Sequence, residues 1–208
     1  MRNRGGFTLV EVLVATAILV IIASMVFKAF AVTLTAGKGL EERAELYHTA
    51  RFIIRKLTED LSSASLYINS AQGSFAGTDK KTGGENSDEL VFTGFGGRVA
   101  LIGIASDQAR VTWKTEAPSG SKRMTLKRGE NHFITGFDEA KEMAEEMEVT
   151  GWLKSFDLKY FDNGTWLEGF DANLTKRQPK AVALSFTLED DEGRTLTKKA
   201  VIPVGPGL

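Results

Sequence analysis

Cysteine is absent from the 208 residues, and histidine occurs only twice, at His48 and His132. The first absence excludes a disulfide framework, a thiolate metal site and a cysteine nucleophile, and the second leaves little for zinc or a histidine-based triad. An excess of charge of one sign is missing too. Twenty-six Lys and Arg against 27 Asp and Glu give a formal net charge of -1, which argues against a dedicated nucleic-acid binder. No phosphate loop is found, because Gly94-Phe95-Gly96-Gly97 lacks the spacing of a dinucleotide motif and reads as a turn. Nor is there a catalytic constellation, so no enzymatic activity, cofactor or resident metal is expected. With 42% hydrophobic and 25% charged residues the chain is ordinary globular material of one to two domains.

What the chain does have is a strong asymmetry. Val12 to Phe27 reads VLVATAILVIIASMVF, sixteen residues without a charge, and extension back to Phe7 adds one acidic interruption, Glu11. At about 1.5 Å per residue this run spans a hydrocarbon core of roughly 30 Å. Arg2 and Arg4 precede the block and Lys28 closes it, so the N-terminus is expected in the cytoplasm and the bulk of the chain outside it. A secretory signal would place its small residues after the apolar core. Here Gly5 and Gly6 come before it, so cleavage there would remove MRNRGG and leave the helix in place. Glu11 needs a partner, since a carboxylate at mid-bilayer costs about 2.5–3.5 kcal/mol. A plain single-span anchor, with Glu11 reaching the interface, is the competing explanation, and hydropathy fits both.

The segment Gly6-Phe7-Thr8-Leu9-Val10-Glu11 resembles the cleavage and methylation motif of type IV pilins and of the pseudopilins of type II secretion. The resemblance implies that a prepilin peptidase cuts after Gly6 and methylates the new amino terminus at Phe7, and that Glu11 supports assembly. Cleavage creates a cationic amine at Phe7, and methylation keeps a positive charge that the Glu11 of a neighbouring subunit could neutralise.

Beyond the apolar block, Gly37 and Gly39 flank Lys38 and mark a bendable joint. Leu40, Ala44, Tyr47, Ile54, Leu57, Leu61 and Ala64 then recur at helical spacing, which extends the first helix as an amphipathic one to about Leu66. Ala71–Ser87 is rich in glycine and polar residues and predicts a surface loop without core. Strands are expected at Glu89–Thr93, Arg98–Ile104, Ala109–Thr115, Arg123–Arg128, Val149–Phe161, Ala181–Leu188 and Arg194–Pro203, as an antiparallel meander. A short helix, capped by Asp138 and running to Met147, should pack its Ala and Met stripe on the core. One long helix followed by antiparallel strands is an α+β sandwich of helix on sheet, and the resemblance independently implies a pilin-like fold. The domain plan is residues 1–6 as leader, 7–36 as membrane and assembly helix, and 37–208 as one extracytoplasmic domain.

Several groups invite other readings. The acidic stretches Asp162-Asn163-Gly164 and Glu189-Asp190-Asp191-Glu192-Gly193 could suggest calcium, but both lie between strand-like runs, where hairpin turns demand such residues. Lys122-Arg123 and Lys127-Arg128, flanking Met124 and Leu126, read as a solvated strand face. Trp152 and Trp166 read as core or half-buried packing.

The C-terminal third carries a second, narrower resemblance. Trp152 to Trp166 (WLKSFDLKYFDNGTW), followed by Gln178 to Leu184 (QPKAVAL), is similar to the J-type minor pseudopilin of type II secretion, as is Arg55 to Leu61 on the first helix. Glu11 disfavours the K type, which typically lacks it. The resemblance implies a subunit near the tip of a periplasmic pseudopilus. Its partners would be I- and K-type minor pseudopilins, the major pseudopilin, the prepilin peptidase and the inner membrane. A minor pilin of a type IV pilus is the alternative, sharing the same leader and helix.

Overall fold

The computed structural model describes residues 8–65, 75–95, 108–118, 120, 123–131 and 145–205, with side chains 33–42 and that of Glu145 outside the description. Gly6, Phe7, His132, Lys122, Leu66, the expected strand at Arg98–Ile104 and most of the expected helix from Asp138 lie outside the described residues. The chain divides into two compact units, Met1–Glu45 and Leu46–Leu208.

A single helix, α1, runs over Leu9–Ser62. Its backbone stays helical at Gly37 and Gly39, so these glycines do not interrupt it. Each costs about 1 kcal/mol relative to alanine, a cost that a long helix already nucleated on both sides absorbs. Over residues 9–32 the helix is a run of exposed, mostly apolar side chains. In the second unit it turns amphipathic and buries Leu46, Ala50, Ile53, Leu57 and Leu61. The buried stripe is therefore one residue out of phase with the sequence expectation near its start. Ala44 and Tyr47 are exposed and Leu46 is buried, because an i, i+4 stripe begun at Leu57 steps back through Ile53 to Ala50 and Leu46.

The helix ends at Ser62, short of the expected Leu66, because the sheet captures the chain at that point. Ser65 donates its backbone N–H to the Thr93 carbonyl at 2.9 Å, the Phe95 N–H reaches the Ser63 carbonyl at 3.1 Å, and the Gly205 N–H takes the Leu61 carbonyl at 2.9 Å. The last two contacts satisfy carbonyls at the helix end, which a terminus leaves free.

Among the described residues the strands that follow are β1 (Ala76–Thr78), β2 (Lys81–Thr82), β3 (Glu85–Asn86), β4 (Glu89–Phe95), β5 (Gln108–Glu116), β6 (Met124–Asn131), β7 (Glu145–Asp162), β8 (Thr165–Leu167), β9 (Phe170–Asp171), β10 (Ala181–Glu189) and β11 (Thr195–Pro203), with a single-turn helix α2 (Ala172–Thr175) after β9. The principal sheet has the order β11-β10-β7-β6-β5-β4-β1-β9, with β8 paired to β7 and a separate β2-β3 hairpin. Every pairing between these strands is antiparallel. Because β8 and β9 are adjacent in sequence, one pairing β7 and the other β1, they draw the far end of the sheet back toward its middle and the sheet curls. A long apolar helix followed by this curled antiparallel sheet is an α+β arrangement of the pilin-like kind.

Alternation along the strands builds the core. Val182, Leu184, Phe186 and Leu188 of β10 face inward together with Phe156, Leu158 and Tyr160 of β7, and they meet Ile53, Leu57 and Leu61 of α1 in one cluster. Two expectations change here. Ala71–Ser87 is no featureless loop: Phe75 is buried against Phe92, Tyr160 and Phe170, with ring centroids 5.7 to 6.0 Å away, and residues 76–86 form β1, β2 and β3. Gly77 makes this possible, because any Cβ there would overlap the Tyr160 ring. Met147 sits in β7 opposite Arg128, exposed, and is not helical. Pairing with β6 decides that segment against its helical spacing.

Candidate assembly helix and its globular domain

The first turn of α1 holds the one predicted site residue that falls among the described residues. Glu11 occupies the third helical position, and its Oε2 accepts from the backbone N–H of Thr8 at 2.9 Å and from the Thr8 hydroxyl at 3.0 Å. In return the Thr8 hydroxyl accepts from the Glu11 backbone N–H at 3.3 Å. This is a capping box, in which threonine and glutamate close the helix end reciprocally and satisfy donors that lipid cannot. Thr8 is thus the hydrogen-bond partner of Glu11, which sequence reasoning passed over. Its signal was available in the spacing Thr8-x-x-Glu11 ahead of an apolar run.

From Leu9 to Val32 the helix presents 24 residues long and apolar enough to cross a membrane, with none of them buried. Thr16 and Ser24 direct their hydroxyls to the carbonyls of Leu13 and Ile21, at 2.9 and 2.8 Å, so neither asks for an outside partner. Such a surface can be covered by lipid or by other helices, and its two charges, Glu11 and Lys28, are its only charged handles among residues 9–32.

In the globular domain, a buried ion pair fastens α1 to the sheet. Asp60 is 4% exposed and Arg128 is 8% exposed. Arg128 Nε and Nη2 reach Asp60 Oδ2 and Oδ1 at 2.7 and 2.9 Å, a two-pronged contact, while Trp113 Nε1 donates to Oδ2 at 2.9 Å. Arg128 Nη1 also binds Glu130 at 2.7 Å, and Lys56 stands 3.5 Å from Asp60. Burial alone would lower the Arg128 pKa, but its bonds to Asp60 and Glu130 outweigh burial and hold it above its ordinary value. The expectation that Lys127-Arg128 forms a solvated face is therefore corrected for Arg128. It shares the inward phase of Met124 and Leu126 at two-residue spacing, and Asp60 makes a charge at that place tolerable. Lys127 points outward to Glu116, as expected of it, and Arg123 pairs with Asp191 at 2.7 Å.

A second anchor joins the β1–β3 segment to β7. Asp88, 1% exposed, accepts from the Leu158 N–H at 2.7 Å and from the Lys80 N–H at 3.1 Å. Burial pushes its pKa up to about 6, and nearby Asp157 and Asp79 add to the rise against the lowering effect of the two backbone bonds. Burial likewise raises the phenol of Tyr160, whose hydroxyl has no hydrogen-bond partner among the described residues.

The acidic stretches behave as hairpin turns. Asp190 Oδ1 accepts from the backbone of Glu192 and Arg194, at 3.0 and 2.8 Å, and Oδ2 takes Arg194 Nε at 2.6 Å. Asp162 is gripped by Arg177 through two bonds of 2.9 and 2.7 Å, which hold its carboxyl below the usual range. The glycine cluster is corrected in part: Gly94 and Phe95 belong to β4. A Cβ on Gly94 would meet Ser63 Oγ at 2.7 Å, so this glycine serves the close approach of the helix end. Trp152 is half-buried as expected, but Trp166 is 45% exposed, resting on Phe161 at 5.0 Å. His48 lies exposed on α1.

Residues 1–27 match the family described as the prokaryotic N-terminal methylation motif. The chain is also 42% identical over 68 residues to the pilin-like protein PilA3 of Thermus thermophilus. That match covers 32% of this chain and 29% of the relative, so the chain spans under a third of the curated relative it matches. Together the two matches support a type IV pilin-like protein, with prepilin processing and assembly into a pilus or pseudopilus as what such a motif implies.

Proposed function

We propose that this chain is a minor pseudopilin of type II secretion, of the J type, working at the tip of a periplasmic pseudopilus with I- and K-type partners and the major pseudopilin. The observation that carries the assembly reading is the capping box of Thr8 and Glu11 at the head of an exposed 24-residue apolar helix. In this reading prepilin peptidase removes residues 1–6 after Gly6 and methylates Phe7. Residues 7–36 hold the subunit in the inner membrane and then in the fibre, and residues 37–208 form the periplasmic domain. The membrane stage is the reservoir. A carboxylate that costs free energy in lipid gains a cationic amine in the fibre, so assembly draws the subunit out of the bilayer. The energy for that motion comes from elsewhere in the machine, and this chain contributes binding surfaces.

The J assignment rests on the segment from Trp152 to Trp166 together with Gln178 to Leu184, which form β7, β8 and the start of β10. The likeness to a pilin-like relative favours a second reading, a minor pilin of a type IV pilus. Co-purification of Lys38–Leu208 with the soluble domains of the I- and K-type pseudopilins from the same cell tests between them. A stable stoichiometric complex is expected, and folded domains that do not bind one another transfer the assignment to the pilus. Mass spectrometry of the N-terminal peptide tests the shared premise: the mature chain should begin at N-methyl-Phe7, and an intact leader in cells with active prepilin peptidase refutes it.

A further inference from the structure

Within the apolar part of α1, Glu11 and Lys28 are separated by an uncharged stretch. Seventeen residues at about 1.5 Å each place them about 26 Å apart along the axis, and 3.6 residues per turn place them about 100° apart around it. They are too distant to pair within one helix and they address different neighbours. Thr8 occupies only Oε2 of Glu11, and Oε1 has no partner among the described residues. Lys28 is exposed, and no described group pairs with its ammonium.

We infer that Lys28 is a docking cation for the carboxylate that a neighbouring pilin-type subunit carries at the position of Glu11, the two helices lying parallel and offset by about 26 Å along their axes. The inference rests on the assembly reading above and names its contact. Charge complementarity selects the occupant: in an apolar surface with a single acid and a single base, another helix of the same pattern supplies the missing opposite charge. The offset selects the state. Side by side in a bilayer with a core of about 30 Å, parallel helices hold their Glu11 and Lys28 groups near opposite faces, where headgroups and water serve each ion. Only when one subunit has moved outward by nearly the thickness of the core does its carboxylate come level with the Lys28 of the subunit below. The contact therefore favours the displaced, fibre-like arrangement over lateral association in the membrane.

Its symmetry also suits a fibre. The contact is head to tail, so every pairing leaves one subunit with a free Lys28 and the other with a free carboxylate, and the contact repeats without closing. A carboxylate has enough lone pairs to serve Thr8, a neighbouring Phe7 amine and a lysine together.

The test uses the full chain in its native membranes with the pilin-type subunits of the same cell. A photo-crosslinking residue replaces Phe27, which is 77% exposed and adjacent to Lys28. Crosslinks should map within one turn of the partner's glutamate. Their yield should fall at least about tenfold in Lys28→Glu and persist in Lys28→Arg. Crosslinks to lipid alone, crosslinks more than two turns from that glutamate, or a yield indifferent to Lys28→Glu would overturn the inference. The mature N-terminus is measured in the same samples. A correctly processed chain that lacks the contact removes only the Lys28 pairing, whereas an unprocessed chain removes the assembly reading and the pairing with it.

Discussion

Replacing Arg128 with methionine removes the cation from the Asp60 network and leaves a carboxylate that is 4% exposed. Breaking a buried pair by deleting one partner costs about 3–5 kcal/mol, because the remaining ion keeps its desolvation penalty without its counter-charge. Two groups soften the loss here: Trp113 Nε1 still donates at 2.9 Å, and Lys56, now 3.5 Å away, can close in from the adjacent turn. The low end, about 3 kcal/mol, is therefore expected, corresponding to a fall in Tm of about 6–12 °C for a domain of this size. Urea denaturation of the fragment beginning at Lys38, followed by tryptophan fluorescence, suits the question because Trp113 is itself in the network. The double variant Asp60→Asn with Arg128→Met should recover all but about 1–2 kcal/mol, since it has no uncompensated charge and an amide oxygen can still accept from Trp113. If Arg128→Met costs less than about 1 kcal/mol, or if the double variant loses the sum of the two singles, then the pair is not a coupled buried unit and the argument fails.

Three further outcomes follow from other parts of the molecule. Asp88 binds its proton more tightly when folded, with a pKa of about 6 against an ordinary 3.8, so its contribution to stability is complete below the ordinary value and is lost as pH rises through about 6. Unfolding curves between pH 4 and 7 should decline by about 2 kcal/mol from this group, and Asp88→Asn should remove that slope whatever its effect on absolute stability. Gly77→Ala forces a Cβ into a Tyr160 ring already held by Phe75 and Phe170, and should destabilise by about 3 kcal/mol in the same denaturation assay, while Gly83→Ala at the open β2-β3 turn should cost much less despite its positive φ. Glu11→Ala should sharply reduce recovery of the full chain in sheared fibre fractions without lowering its amount in the membrane; equal recovery would refute its assembly role.

What the sequence made legible follows from how local each signal is. The apolar block and the alternation in Ala181–Leu188 are written in consecutive residues, and they emerge as α1 and β10. The misjudged places are those where a distant partner decides. Phe75 sits in a stretch full of glycine and polar residues, and only the ring cluster gathered from β4, β7 and β9 turns it into core. Arg128 reads as a surface cation until Asp60, sixty-eight residues earlier, is brought beside it. Met147 lies on a helical stripe in sequence, yet β6 offers it a ladder, and pairing prevails over propensity. The phase of the buried stripe on α1 was missed by one residue because Tyr47 is large and apolar enough to pass for core, while in the fold it lies half-open under the Lys198 ammonium at 5.0 Å.

That lysine has a bearing on crowding. Among the described residues β11 is the end strand of the principal sheet, paired with β10 alone, and the opposite end at β9 is drawn in by the β8–β9 connection. Leu196, Lys198, Ala200 and Ile202 share the inward side of β11, so a cation stands in the row that meets the helix, stacked over Tyr47, and Pro203 closes the strand with no N–H to offer. A foreign strand laid along this border would have to cover a charge already held by an aromatic ring and would find its ladder cut short at the proline. In the proposed fibre, neighbouring domains would thereby be discouraged from zipping together edge to edge, so that their contacts would form through faces and loops rather than through a shared sheet.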